Sequence, residues 1–345
     1  MSILSPGNFF AIDIGTTAIR VVELRGGGGS KALVRYGSIP VDYKTAQSDS
    51  AADRTHLLEA LTKLINSVGV STRNVVVGVP SSRMFATIVD MPKLDKPELD
   101  KTIQYQAEQY IPMSLDEAEI DWQVLGDSPV AGDKSEVLLV SSTKKFTESR
   151  LDLLESIGLN VVALEPDPLA LTRALLPFGS TGAVMLLDIG NQSTDLIVAI
   201  DTAPRLIRSI PTGGASFVRS AMQNLNVDEK QAEQFVFKFG LNQQKLEGQV
   251  FKAIESTVDG LVAEVQKSVK FFTNRYKNVA IEKIVVSGGA STLPEFPLYI
   301  ANKLNMQVEI GNSWQNVSYP SNLNNDLLAI SSRFGVAVGL AEREQ

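Results

Sequence analysis

The chain of 345 residues contains no cysteine. Disulfides and thiolate metal sites are therefore excluded. Histidine is nearly absent too. The single one, His56, is the second residue of a helical run and reads as a surface helix residue, not a catalyst. No apolar run reaches the roughly 18 residues of a membrane span. The N-terminus lacks the basic region and long apolar core of a signal peptide, so a cytoplasmic protein is expected. Basic charge is not in excess. Lys and Arg number 32 against 39 Asp and Glu, a net charge of −7. Without a general basic footprint, nucleic acid is not an expected partner. No Gly-Lys pair occurs, which removes the Walker A phosphate loop. What is present is an ordinary mixture, 44% hydrophobic and 21% charged, in a chain long enough for two domains and a large core.

The stretch from Phe9 to Leu24 organises the rest. Two apolar, β-branched runs, Phe9–Ile12 and Ile19–Leu24, flank a polar turn holding Asp13, Gly15, Thr16 and Thr17. Such a turn suits a phosphate and its magnesium. Glycine admits close backbone approach, hydroxyls donate, and a carboxylate can hold metal-bound water. The pattern returns 175 residues later. Val184–Ile200 is again strand, Asp188-Ile189-Gly190, a turn with Asn191, Ser193 and Thr194, then strand. Two such loops, one per domain, could grip one nucleotide from both sides. A third piece is Ile281–Ser291, a buried-type strand running into Ser287-Gly288-Gly289-Ala290, with a helix expected next and Pro294 near its first turn.

Between these landmarks the chain alternates strands and helices. Arg25–Lys31 holds four consecutive glycines, a flexible turn with the composition of a synthetic linker. Ala32–Ile39 reads as a strand and residues 42–54 as a polar loop. Thr55–Val68 reads as an amphipathic helix ended by Gly69, and 75–79 as a central strand. Residues 85–158 form a β-α-β-β-α module whose helices can cover one face of a small sheet. The helix spanning roughly 249–277 repeats apolar residues at three- and four-residue spacing, the mark of a core stripe. The end, Leu323–Ala341, is apolar and helical, broken by Gly335 and Gly339.

The ordered triplet Asp-Ile-Gly, Asp-Ile-Gly, Ser-Gly-Gly-Ala resembles the actin-like ATPase superfamily. A longer stretch is more specific. Glu98–Glu117, with Glu108-Gln109-Tyr110-Ile111-Pro112 and then Leu115-Asp116-Glu117, followed by Trp122-Gln123-Val124-Leu125, resembles the PilM family of type IV pilus assembly proteins. So does the ending Arg333–Ala341. The resemblance implies an α/β, two-domain actin-like fold of duplicated ribonuclease H-like domains with an FtsA-type extra subdomain. The first domain would take 8–84, 159–180 and 321–345. The inserted subdomain would take 85–158. The second domain would take 181–320, with a helical part at about 213–278.

It also implies ATP with Mg2+ in a cleft between the halves. Asp13, Gly15, Thr16, Thr17 and Arg20 match the first phosphate loop, with Arg20 where the family favours Lys. Asp188, Gly190, Asn191, Ser193 and Thr194 match the second. Gly213 and Gly214 match a turn near phosphates and sugar, Glu233 a ribose-binding position, and Gly288, Gly289 and Ser291 the adenosine motif. Asp13 and Asp188 would hold the magnesium through water. The implied role is a scaffold of the inner-membrane pilus platform. It would bind the N-terminal cytoplasmic tail of PilN between the first domain and the inserted subdomain, with Ile103, Tyr110 and Ile111 as groove candidates. Other platform proteins and the assembly motor ATPase would be further partners, contact with the membrane would run through partners, and self-association stays open. Catalysis is expected to be a slow ATPase at most. Glu165 reads as an ordinary strand-end carboxylate, and no base for water stands out. An FtsA-like cell-division protein and a phosphotransferase of the sugar-kinase branch are the alternatives.

Overall fold

The computed structural model describes residues 8–26, 31–48 and 50–344. The expected glycine turn therefore lies outside the described residues from Gly27 through Ser30. The chain forms two compact units. The first takes residues up to Leu171, Ala203–Ile207, and Val336 onward; the second takes Thr172–Thr202 and Arg208–Gly335.

In the first unit, β1 (Phe10–Ile14), β2 (Ala18–Arg25) and β3 (Lys31–Pro40) form an antiparallel meander. The short helix α1 (Tyr43–Gln47) and the longer α2 (Ala51–Val68) follow, then β4 (Asn74–Val79). This replaces the polar loop expected over 42–54. The signal was Ser50-Ala51-Ala52-Asp53. The Ser50 hydroxyl accepts the Asp53 N–H at 3.2 Å, and the Asp53 carboxylate accepts that hydroxyl at 2.6 Å, so α2 starts four residues early. At its other end Gly69, with φ +65°, closes it as expected.

Then come β5 (Met84–Pro92), α3 (Lys96–Gln106), β6 (Ala118–Asp127), β7 (Lys134–Thr143), α4 (Lys144–Glu155), β8 (Asn160–Pro166) and α5 (Asp167–Leu175). The main sheet runs β3-β2-β1-β4-β8, with β4 and β8 joined in parallel. A separate antiparallel layer runs β5-β7-β6.

The two sheets have separate cores. Phe10, Ile12, Ile19 and Val21 of the main sheet pack with Leu57, Leu61 and Leu64 of α2. Leu99 and Ile103 of α3 pack with Val89, Met91, Val137 and Leu139 of the small layer. One expectation is corrected here. α4 does not share α3's core, because its Leu153 and Leu154 are buried with the main sheet. Each fully buried leucine contributes about 2 kcal/mol from apolar burial, and the larger core offers that burial.

The second unit contains β9 (Ala183–Ile189), β10 (Thr194–Ile200) and the end of β11 (Ala203–Ile210). Helices α6 (Gly214–Leu225), α7 (Glu229–Phe239) and α8 (Gln249–Arg275) follow, then β12 (Ile281–Ser287), α9 (Phe296–Leu304) and β13 (Val308–Ile310). β9 pairs antiparallel with β10 and parallel with β12, which pairs parallel with β13. α8 buries Val250, Ile254, Val258, Leu261, Val265 and Phe272, the stripe that its periodicity predicted. α9 begins at Phe296, so its first-turn proline is Pro297 and not Pro294.

The last helix, α10 (Asn324–Ala341), is continuous. Gly335 and Gly339 do not break it. A Cβ at Gly339 would stand 1.9 Å from the Ala170 carbonyl oxygen, so glycine there serves the close crossing of α10 and α5.

Candidate functional site

In the first hairpin β1 extends two residues past its expected end, so Asp13 lies on the strand and only Gly15–Thr17 turn. The Gly15 N–H closes that turn on the Ala18 carbonyl at 3.1 Å. Cross-strand register puts Arg20 opposite Asp13, and the guanidinium donates to the carboxylate at 2.9 Å. Asp13 is only 6% exposed. Burial pushes its pKa up, against the opposing charge and hydrogen bond of Arg20. Thr16 is half-buried and Thr17 exposed. Neither hydroxyl bonds to another described residue, so both can donate outward.

The second hairpin, β9–β10, belongs to the other unit and is braced differently. Its turn closes through the Gly190 N–H to the Ser193 carbonyl at 2.9 Å. The start of α6 holds it from outside: the N–H groups of Gly214 and Ala215 donate to the carbonyls of Gly190 and Asn191 at 3.0 and 2.8 Å. Fully buried Thr194 donates its hydroxyl to the Thr212 carbonyl at 2.7 Å. The approach is close enough that a Cβ at Gly213 would lie 2.6 Å from the Gly190 oxygen. Gly288, with φ +85°, packs on the same loop, and a Cβ there would lie 2.3 Å from the Ile189 oxygen. Only glycine fits both the angle and the space. Beside it, a Cβ at Gly289 would meet nothing, so this face is open.

Of the residues expected in the site, the second unit thus brings together Asp188, Gly190, Asn191, Ser193, Thr194, Gly213, Gly214, Gly288 and Gly289. Ser291 is adjacent but fully buried, its hydroxyl donating to the Gly288 carbonyl at 2.8 Å, so it shapes the turn from within. Glu233 is exposed on α7, and no hydrogen bond or ion pair joins it to these turns among the described residues. The cross-strand partner of Asp188 is Asp195, a second carboxylate. Two facing carboxylates suit a hard divalent cation in their donor chemistry. Among the described residues, though, no group of three or more acidic or histidine side chains gathers as a complete metal cage.

The groove candidates fall elsewhere. Ile103 and Ile111 are 2% and 5% exposed in the core of the small layer, and Tyr110 packs against them. Glu165 is 2% exposed and paired with Arg343 at 2.8 Å. A small pocket of about 40 Å3 opens instead between α1, α2 and α4, with Ala46, Leu57, Phe146 and Leu153 as its apolar wall. Three cations, Arg54, Arg83 and Arg150, line it as well. Arg83 donates to the Gln47 carbonyl at 3.0 Å, and the guanidinium groups of Arg83 and Arg150 lie 5.7 and 5.3 Å from the Phe146 ring centroid. Nothing in the sequence linked these arginines, which are scattered over about a hundred residues.

These units and hairpins define an actin-like ATPase fold. Within that class the family model described as type IV pilus assembly protein PilM matches residues 11–345. The chain belongs to the PilM family. Among solved structures it is similar to one described as the PilM-PilN type IV pilus biogenesis complex, with 24% identity over 97% of each chain and a TM-score of 0.83. It is also similar to the ethanolamine utilization protein EutJ from Carboxydothermus hydrogenoformans, at 14% identity, 98% and 90% coverage and TM-score 0.58. A third is MreB5 of Spiroplasma citri bound to AMPPNP, at 12% identity, 96% and 94% coverage and TM-score 0.54. Among the described residues no helix is long and apolar enough to cross a membrane.

Proposed function

We propose that this PilM-family chain is an ATP-binding scaffold of the type IV pilus inner-membrane platform, held there by the N-terminal cytoplasmic tail of PilN. The observation that carries the nucleotide reading is the convergence of three glycine turns, at 190, 213–214 and 288–289, beside Gly289, where an added Cβ would meet nothing within 4 Å. That cradle fits a flat nucleoside and its phosphates. The fold relative MreB5 carries AMPPNP in its structure.

Asp188, with Asp195 opposite, would hold magnesium through water, and Thr16, Thr17 and Ser193 would donate to phosphate oxygens. Asp13 is less suited to magnesium, because Arg20 already neutralises it. Nucleotide would act by biasing the conformation that the partner reads.

For the tail, the pocket beside Phe146 has the composition that a peptide groove needs: apolar walls with a few polar clamps. Its arginines can donate to peptide carbonyls. Calorimetry tests both parts. Mg-ATP should bind the wild type and bind Asp188→Ala at least about tenfold more weakly, a loss of about 1.4 kcal/mol. A PilN-tail peptide should bind the wild type and lose affinity in Phe146→Ala. Absence of nucleotide binding, or of peptide binding with and without ATP, overturns the corresponding half.

A further inference from the structure

The negative charge of this chain is not spread evenly. Residues 102–133 contain seven Asp and Glu and no Lys or Arg. The whole chain carries a net charge of −7, so everything outside this segment is balanced. The structure shows where that charge sits. The segment runs from within α3 through β6, and β6 is an edge of the β5-β7-β6 layer. Among the described residues nothing pairs with its outer side.

A free edge strand presents unpaired N–H and C=O groups, which invite another extended segment. Here the edge is capped provisionally. The Trp122 N–H is taken by the carboxylate of its own neighbour Asp121, at 2.8 Å, instead of by a strand. At the near end the Ala118 N–H already donates to the Leu115 carbonyl at 3.3 Å, and at the far end the Leu125 carbonyl is occupied by Arg205 at 2.8 Å, so the available edge runs from the Ala118 carbonyl through Val124. Its faces alternate. Ala118, Ile120 and Trp122 turn toward the core under α3, while Glu119, Asp121 and Gln123 are exposed. Asp127 is set aside, since Lys93 already pairs with it at 2.7 Å.

We infer that the edge Ala118–Val124 receives an extended basic peptide segment by strand addition. Its backbone would supply the ladder, including a carbonyl for the Trp122 N–H, and Asp121 would be released to meet a cation. Its Lys or Arg residues would stand at alternate positions opposite Glu119 and Asp121, with apolar residues between them extending the layer beside Ile120 and Trp122. This involves residues other than the nucleotide cradle and the Phe146 pocket, and it stands independently of both.

The test uses the full chain and two eight-residue peptides, one alternating lysine with valine and one alternating glutamate with valine. The reporter is built in, because the other tryptophan, Trp314, is fully buried. The lysine peptide should perturb Trp122 fluorescence and bind more weakly as salt is raised. It should bind the doubly reversed variant Glu119→Lys with Asp121→Lys at least about tenfold more weakly, and that variant should gain the glutamate peptide. Both positions are exposed, so the variant keeps its core. Amide hydrogen exchange should show new protection confined to Ala118–Val124. Equal binding of both peptides, indifference to the double reversal, or protection arising elsewhere would overturn the inference.

Discussion

The two Asp-Ile-Gly hairpins share a spacing but differ in what faces the aspartate. Seven residues after Asp13 stands Arg20, and seven after Asp188 stands Asp195, each directly across its ladder. The first hairpin is internally neutral, its buried carboxylate satisfied by a guanidinium. The second places like charges opposite each other, an arrangement that destabilises a ladder unless a cation or other groups compensate. Their support differs as well. Both turns close on themselves, but the first takes a single outside backbone bond, from the Val41 N–H to the Thr17 carbonyl at 3.1 Å, whereas the second is clamped by the start of α6 and by Gly288. One duplicated motif has thus become an ion-paired turn in one unit and a turn clamped by α6 and Gly288, with two facing carboxylates, in the other. This is why the magnesium proposed above goes to the second.

The largest break in that contrast should come from the clamp. Gly288→Ala combines a left-handed backbone with a contact against the Ile189 backbone. It should cost roughly 4 kcal/mol in thermal or denaturant unfolding. Gly289→Ala, one residue on in open space, should stay within about 0.5 kcal/mol. Gly15→Ala meets the Arg20 guanidinium at 2.9 Å and the Ala18 carbonyl at 3.1 Å. It should fall between them, at about 1 kcal/mol.

Next comes Arg20→Met, which strands the buried Asp13 carboxylate and should cost about 3 kcal/mol. Asp13→Asn in the same background should recover much of that loss in a double-mutant cycle. If Arg20→Met is neutral, the first hairpin is not organised by its ion pair.

The smallest effect is pH-dependent. Burial raises the folded pKa of Asp13 above its ordinary 3.8, so the folded chain holds that proton longer than the unfolded one. The contribution is complete below the ordinary value and is lost as pH rises through the raised one. Wild type should therefore lose stability relative to Asp13→Asn as pH climbs through that window. A difference that grows in the opposite direction would show that Arg20 outweighs burial.

The features legible in the sequence were those written in short-range patterns. Asp-Ile-Gly between β-branched runs located both hairpins, and three- and four-residue spacing located α2 and α8. Gly69 marked a helix end as helix-end chemistry requires. The misses have physical causes. The Ser50–Asp53 capping box was present but sat inside a polar stretch. Ile103 and Ile111 looked like groove residues because an apolar residue beside a family motif does not disclose which side it faces. Ser291 carries a hydroxyl suited to a ligand, but the Gly288 carbonyl lies nearer.

By itself the sequence determined that this is a duplicated α/β protein with two acidic glycine turns, free of thiol chemistry and of any apolar span. Spacing, backbone-permissive glycines and strand or helix periodicity act over a few residues, so they survive in a linear reading. Only the tertiary structure decided that α4 lends its leucines to the main sheet, that Gly213 and Gly288 brace the second turn, and that Arg54, Arg83 and Arg150 share one pocket. Those arrangements depend on which distant segments pack within a few ångströms of each other, and that proximity is set by burial of the whole core.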